Sequence, residues 1–224
     1  MRIYKLNKTV LSLTQNPADF LNGLTSNSLD RPRNALLNLH GRIIATFDQI
    51  MIDEEEIWII LEKQFVSAVL NHLERYLKLS GVKAKELNKN VYFDLDNLYK
   101  PQDSDRAIPQ KSGRMIVTDG TLSANVADDA FTLYRLKNNI PVHGLDYQDE
   151  MLLNVSEDEF VSYTKGCFLG QEFVSKVHNR SKPTWKLVVC NENECPDGEK
   201  QKMTSKAIDP QTKRVMGFVF VKNE

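Results

Sequence analysis

Long apolar runs are missing from this chain: nowhere do the roughly 18 apolar residues needed to cross a bilayer follow one another. Cysteine is scarce as well, with 3 in 224 residues, an odd number too widely spaced for a disulfide framework. Cys190, read as a strand residue, and Cys195, read as a loop residue, lack neighbouring histidines, and two thiols alone are too few for a zinc site. Neither sign of charge is in excess. A formal net charge of −1 gives no global attraction to nucleic acid or to an anionic membrane. The basic group Lys176, His178, Arg180 and Lys182 is read as a solvated face. No apolar or Arg/Ser-rich leader follows Met1, so the cytoplasm is the expected location. What remains is an ordinary globular composition, long enough for one large or two to three small domains.

Punctuation and periodicity place the elements. Asn16 is the expected cap of a first helix, with Pro17 at its first position and Gly23 closing it. Strands are expected over 35–39, 42–52 and 56–61, with Gly41 in the tight turn between the first two. Residues 63–79 keep a 3.6-residue apolar period and end before Gly81, which predicts a long amphipathic helix; 82–87 then reads as a strand. Residues 97–112 are rich in Pro, Asp and Ser and read as a loop or linker. Asp119-Gly120 is expected to turn a hairpin between strands at 115–118 and 121–126. A helix over 129–139 ends at Ile140-Pro141. Three weak strands, 185–190, 203–208 and 215–221, close the chain around a polar loop at 191–202. Together these predict an α+β layered fold.

Chemistry concentrates near residue 165. Ser156-Glu-Asp-Glu159 has the spacing of a capping box, and the helix it starts is expected to carry Lys165 in its last turn and Gly166 at a left-handed close. Cys167 would then follow a sharp turn. It is either a small buried hydrophobe or a thiol whose anion Lys165 stabilises, and spacing leaves both open.

The octapeptide Lys165-Gly166-Cys167-Phe168-Leu169-Gly170-Gln171-Glu172 resembles the K-G-C-Y/F-x-G-Q-E signature of the YgfZ-type folate-binding proteins, of the glycine-cleavage aminomethyltransferase superfamily. The segment from Asp19 to Asn27 resembles that family's D-F-L-x-G-x-x-T-x-D element, with Asn27 in place of the usual aspartate. Gly41-Arg42 matches its glycine-basic turn. Arg135 with Ile140-Pro141 resembles R-x-x-x-G-I-P, with Asn139 replacing the glycine, and Met151 to Asn154 falls at the E-x-N-L element.

The resemblance implies ferredoxin-like subdomains around a central folate channel, built from intertwined parts at 1–90 and 91–180, with a truncated C-terminal β module at 181–224. Tetrahydrofolate or a one-carbon derivative is the implied ligand. Arg42 and Arg135 are candidates for its glutamate tail, from charge and position, although each also reads as a plain surface cation. Where the aminomethyltransferase carries an acidic pair, this chain has Ala45 and Thr46, neither a useful proton carrier near neutrality, so aminomethyl transfer is not expected. The resemblance implies an accessory role in iron–sulfur protein assembly or maintenance, extending to enzymes of tRNA modification. Cys167 would be the functional thiol and iron–sulfur proteins or their assembly machinery the partners, with no direct nucleic acid, membrane or metal bound. Two alternatives stand beside it. One is a folate-dependent transferase or demethylase using Asp48 or a carboxylate among residues 53–56; the other is an interaction module without ligand.

Overall fold

In a computed structural model that describes residues 1–196 and 198–223, β1 (Ile3–Lys5) and β2 (Lys8–Thr14) lead into α1 (Pro17–Leu24). β3 (Arg33–Leu37), β4 (Ile43–Met51) and β5 (Glu56–Glu62) follow, then α2 (Val66–Ser80), β6 (Lys83–Leu87) and β7 (Asn90–Asp94). The middle adds β8 (Arg106–Pro109), β9 (Arg114–Thr118) and α3 (Asp128–Lys137). Short helices α4 (Leu152–Val155) and α5 (Glu157–Phe160) precede α6 (Gln171–Arg180), and β10 (Trp185–Asn191), β11 (Thr204–Ile208) and β12 (Val215–Lys222) complete the chain.

The fold is α+β, with three antiparallel sheets. The first has the order β3-β4-β5-β2-β6. Setting aside the edge strand β3, this is the 4-1-3-2 order of a βαββαβ unit, with α1 and α2 as its crossovers. Leu11, Leu13, Phe47, Ile57 and Ile59 pack on one sheet face with Leu21 of α1 and Val69 and Leu73 of α2. The second sheet has the order β1-β7-β9-β8, so the N-terminal strand β1 supplies the edge of a sheet otherwise made after residue 89. Val10, Trp58 and Ile60, on the other face of the first sheet, meet Val91, Ile108, Met115 and Val117 of the second. The third sheet, β10-β12-β11, docks through Leu187 and Phe218 onto a core that includes Leu152, Phe160, Phe168 and Val174.

Several expectations need correction. Asn16 is itself left-handed and makes no capping bond, and Gly23 lies inside α1, whose last turn is closed by the Thr25 hydroxyl on the Leu21 carbonyl. The stretch 121–126 is not a strand; its Leu122 amide donates to the Tyr92 hydroxyl, and the Asn125 amide donates to the Ile3 carbonyl. The supposed linker 97–112 contains β8, paired to β9. No side-chain bond caps α5 through Ser156, and α5 ends at Phe160, so Lys165 belongs to no helix. Gly166 is not left-handed. Gly170 is, with φ +84°, at the start of α6. Gly41 (φ +71°) and Gly81 (φ +79°) turn where expected. No helix among the described residues is long and apolar enough to cross a membrane.

Candidate functional site

Alternation along β4 sends Thr46 and Asp48 to one face and Ala45 to the helix-covered core. Thr46 and Asp48 line a small inner chamber between the first two sheets, closed by α3 and by residues 140–147. Its volume is about 50 Å³. The Lys8 ammonium reaches Asp48 at 3.3 Å and Glu62 at 3.0 Å, and Gln110 donates to Asp48 at 2.9 Å. Burial alone would depress Lys8, but Glu62 and then Asp48 outweigh it and hold the amine above its usual value. Asp48 is therefore a structural counter-ion with its oxygens engaged. Asp53 and Glu55 sit in an exposed turn, and Glu56 accepts from Ser12 and the Trp58 indole, outside the chamber.

Two aromatic groups complete the inner wall. Tyr147 meets Thr46 hydroxyl to hydroxyl at 2.7 Å, with either able to donate, and burial pushes its phenol up to about 12, so it is neutral at physiological pH. His143 stacks on Phe65 with ring centroids 3.8 Å apart. Burial, then the Lys8 charge, lowers its imidazole to about 4. Neither of its ring nitrogens has a hydrogen-bond partner, and the Nε of Arg33 has none either, although both residues line the chamber.

A second space adjoins the first. Arg33, Gln110 and Pro141 line both the chamber and an open cleft of about 710 Å³. Such a volume lies within the range of about 300–1,000 Å³ seen for small-molecule sites. Pro32, Leu153, Val155 and Leu187 give the cleft apolar wall; Arg31, Lys111 and Lys186 add exposed cations, and Glu157 and Asp158 add acids on the α5 side. Between cleft and chamber the Arg33 guanidinium pairs with Glu159 and lies over the Phe160 ring. The arrangement can hold a flat, part-apolar ligand with an anionic end outward.

The residues expected to form the site are dispersed. Arg42 is exposed, donates to the Asp149 carbonyl, and lines neither space. Arg135 does line the chamber, but it is no surface cation: its guanidinium is committed to Asp146 at 2.7 Å, the Ile140 carbonyl and Ser205. The octapeptide lines neither space and braces the fold. Lys165 donates to the carbonyls of Asn22 and Thr25, and burial lowers its amine to about 8. The Leu169 amide donates to the Gly23 carbonyl, Phe168 is buried, and the Gln171 side chain accepts from the Phe168 amide. Gly170 sits so close to the β3–β4 turn that a Cβ would lie 2.5 Å from the Asn38 carbonyl. Cys167, Gly166 and Glu172 are exposed. His178 pairs with Glu157 at 2.5 Å on the exposed side of α6, where Lys176 and Arg180 also lie. No cluster among the described residues has the composition to hold a metal ion.

Sequence reasoning overlooked Lys8, Glu62, Gln110, His143 and Glu159. The one available signal was the pair of charges Lys8 and Glu62 at the ends of two apolar strands.

No protein-family model matches the sequence, and no curated protein matches it. Among solved structures, the crystal structure of glycine cleavage system aminomethyltransferase T from Bartonella henselae is similar, with a TM-score of 0.73 at 12% identity. The match covers 98% of this chain and 78% of that one. The chain therefore has an aminomethyltransferase-type fold, and identity that low speaks to the fold alone.

Proposed function

We propose that the chain binds a reduced folate, tetrahydrofolate or a one-carbon derivative, in the cleft and the chamber behind it. In this reading it is a cytoplasmic accessory factor for the assembly or maintenance of iron–sulfur proteins, affecting tRNA modification through such client enzymes, and it performs no aminomethyl transfer. The observation that carries the ligand is a part-apolar cleft edged by Arg31, Lys111 and Lys186, adjoining a polar, aromatic chamber, on an aminomethyltransferase-type fold. The pterin belongs inside, and the glutamate tail belongs beside Arg31 and Lys111 rather than at Arg42 or Arg135.

Loss of transfer chemistry is supported by Ala45, buried under the helices, by Thr46, tied to Tyr147, and by Asp48, held between Lys8 and Gln110. The iron–sulfur role rests on the octapeptide and on an exposed Cys167. One thiol cannot hold a cluster that ordinarily takes four, so Cys167 would act in transient exchange with a partner.

Anaerobic titration with tetrahydrofolate, read by heat and by melting temperature, tests the ligand. At 100 times its dissociation constant a ligand adds about 2.7 kcal/mol of stability, a visible rise in Tm. A second reading, an interaction module without ligand, is favoured by the smallness of the chamber. It takes over if millimolar tetrahydrofolate gives neither heat nor shift.

A further inference from the structure

We infer that His143 is the residue by which the chamber recognises a polar ring edge of its ligand, of the kind a reduced pterin presents, through one of its two ring nitrogens. The inference rests on the folate reading of this site and adds to it a specificity-determining residue.

Buried polar groups in folded proteins are almost always paired, and leaving one unpaired is destabilising. His143 is 3% exposed, and both of its ring nitrogens lack a partner. His72 leaves one buried nitrogen without a partner, and His143 leaves both. Tyr147, with its ring centroid 5.2 Å away, spends its hydroxyl on Thr46 instead. The imidazole lies parallel to Phe65 at 9° between planes, which leaves its nitrogens at the edges of the stack. A neutral imidazole carries one N–H and one bare nitrogen that point apart, so the one turned to the ligand can answer either a donor or an acceptor, according to tautomer.

The Arg33 Nε–H, 4.0 Å from Asp48 and without a hydrogen bond, is a second donor on the same chamber. Lys8, Asp48 and Glu62 already satisfy one another. The polar demand left on this wall is thus a His143 ring nitrogen and the Arg33 Nε–H, and Phe93 and Phe131 provide apolar wall for a flat ring. At about 50 Å³ the chamber is too small for a bicyclic ring, so a pterin there needs Gln110, which lines both spaces, to turn away from Asp48 and join chamber to cleft.

The test is anaerobic calorimetry with three probes: tetrahydrofolate, 6-methyltetrahydropterin, which lacks the tail, and p-aminobenzoylglutamate, which lacks the pterin. His143→Phe keeps the stacked ring and removes both nitrogens. It is expected to weaken tetrahydrofolate and 6-methyltetrahydropterin at least about tenfold and to leave p-aminobenzoylglutamate unchanged, while His143→Gln recovers part of the loss. A second readout needs no variant. The ring-nitrogen resonances of His143 in ¹⁵N-histidine-labelled wild type are expected to move with 6-methyltetrahydropterin and to stay with p-aminobenzoylglutamate. Wild-type binding with unmoved resonances, or undiminished binding by His143→Phe, overturns the role of His143 and leaves the folate reading standing. If the wild type binds neither pterin probe, both fall together.

Discussion

Arg135 donates to the Asp146 carboxylate across 2.7 Å, with 3% of one side chain and none of the other exposed to solvent. The same carboxylate accepts from Thr204 at 2.9 Å and from Ser205 at 2.5 Å, so one buried pair fastens β11 to α3. Breaking a buried pair from one side strands a charge and costs about 3–5 kcal/mol. Asp146→Ala is expected to lower the urea midpoint accordingly and to loosen the third sheet first, seen as fast amide exchange in β10–β12. Arg135→Met combined with Asp146→Leu should recover most of the loss. A double variant as unstable as the single one would show that the third sheet needs the ions themselves.

The two glycines of the octapeptide should behave differently. Gly170 has φ +84°, and an added Cβ would meet the Asn38 carbonyl at 2.5 Å and the Leu37 Cβ at 3.3 Å. The left-handed backbone alone costs a side chain about 1–2 kcal/mol, before any clash. Gly170→Ala should therefore melt well below wild type. Gly166 has open space around it and no left-handed φ, so Gly166→Ala should stay within about 0.5 kcal/mol. Stability lost at Gly166 would mean that this turn adopts another conformation in solution.

Much of this was legible and some was not, for physical reasons. Helix α2 shows in its apolar period and closing Gly81 because both signals are local. β2 escaped notice because Lys8, Thr9, Ser12 and Thr14 interrupt its apolar residues; it is central in its sheet, and its polar groups find partners on β4, β5 and β6. β8 hides in a Pro- and Asp-rich stretch since an edge strand needs only one neighbour. The chamber was invisible for a different reason. Lys8 meets Asp48 and Glu62 only when three strands lie side by side, and nothing local marks an ion pair of that sequence separation.

Stability against pH should carry the signature of His143. Its imidazole is lowered from 6.5 to about 4 by burial and by Lys8, so the folded chain stays neutral there while the unfolded chain gains a proton below pH 6.5. The contribution is fully present above 6.5 and is lost as the pH falls through the folded value near 4, amounting to about 3 kcal/mol. His72 is also lowered by burial and adds in the same direction. The urea midpoint of His143→Phe should fall less than that of wild type between pH 7 and pH 4.5. Parallel profiles would show that His143 is protonated or paired in the folded chain.

Ligand affinity should depend on the mouth of the cleft and not on Arg42. Lys111 is exposed and lies 3.9 Å from Glu159. An exposed charge pair contributes up to about 1 kcal/mol, so Lys111→Ala should weaken tetrahydrofolate about fivefold, and more at low salt. Arg42→Ala, on a residue that lines neither space, should leave affinity unchanged. The reverse pattern would move the folate tail to the β3–β4 turn.

Asn27 stands where the resembling family has aspartate, and its surroundings require the amide. Its Nδ2 donates to the Arg33 carbonyl at 2.9 Å and to the Glu159 carbonyl at 3.0 Å, at a site 2% exposed. Its Oδ1 takes the Ser28 amide at 3.0 Å. An ionised aspartate could keep only the last of these and would turn an oxygen toward two carbonyl oxygens. Asn27→Asp is therefore expected to cost about 1–3 kcal/mol at neutral pH. Part of that loss should return as the pH drops and the new carboxyl takes up a proton, since one hydroxyl can then donate to one of the carbonyls. The Arg33–Glu159 pair hangs on this same backbone, so the variant should also bind tetrahydrofolate more weakly. Denaturation of both proteins at pH 7 and pH 5 decides it: a gap that narrows at the lower pH supports the donor role of Asn27, and equal stability at pH 7 removes it.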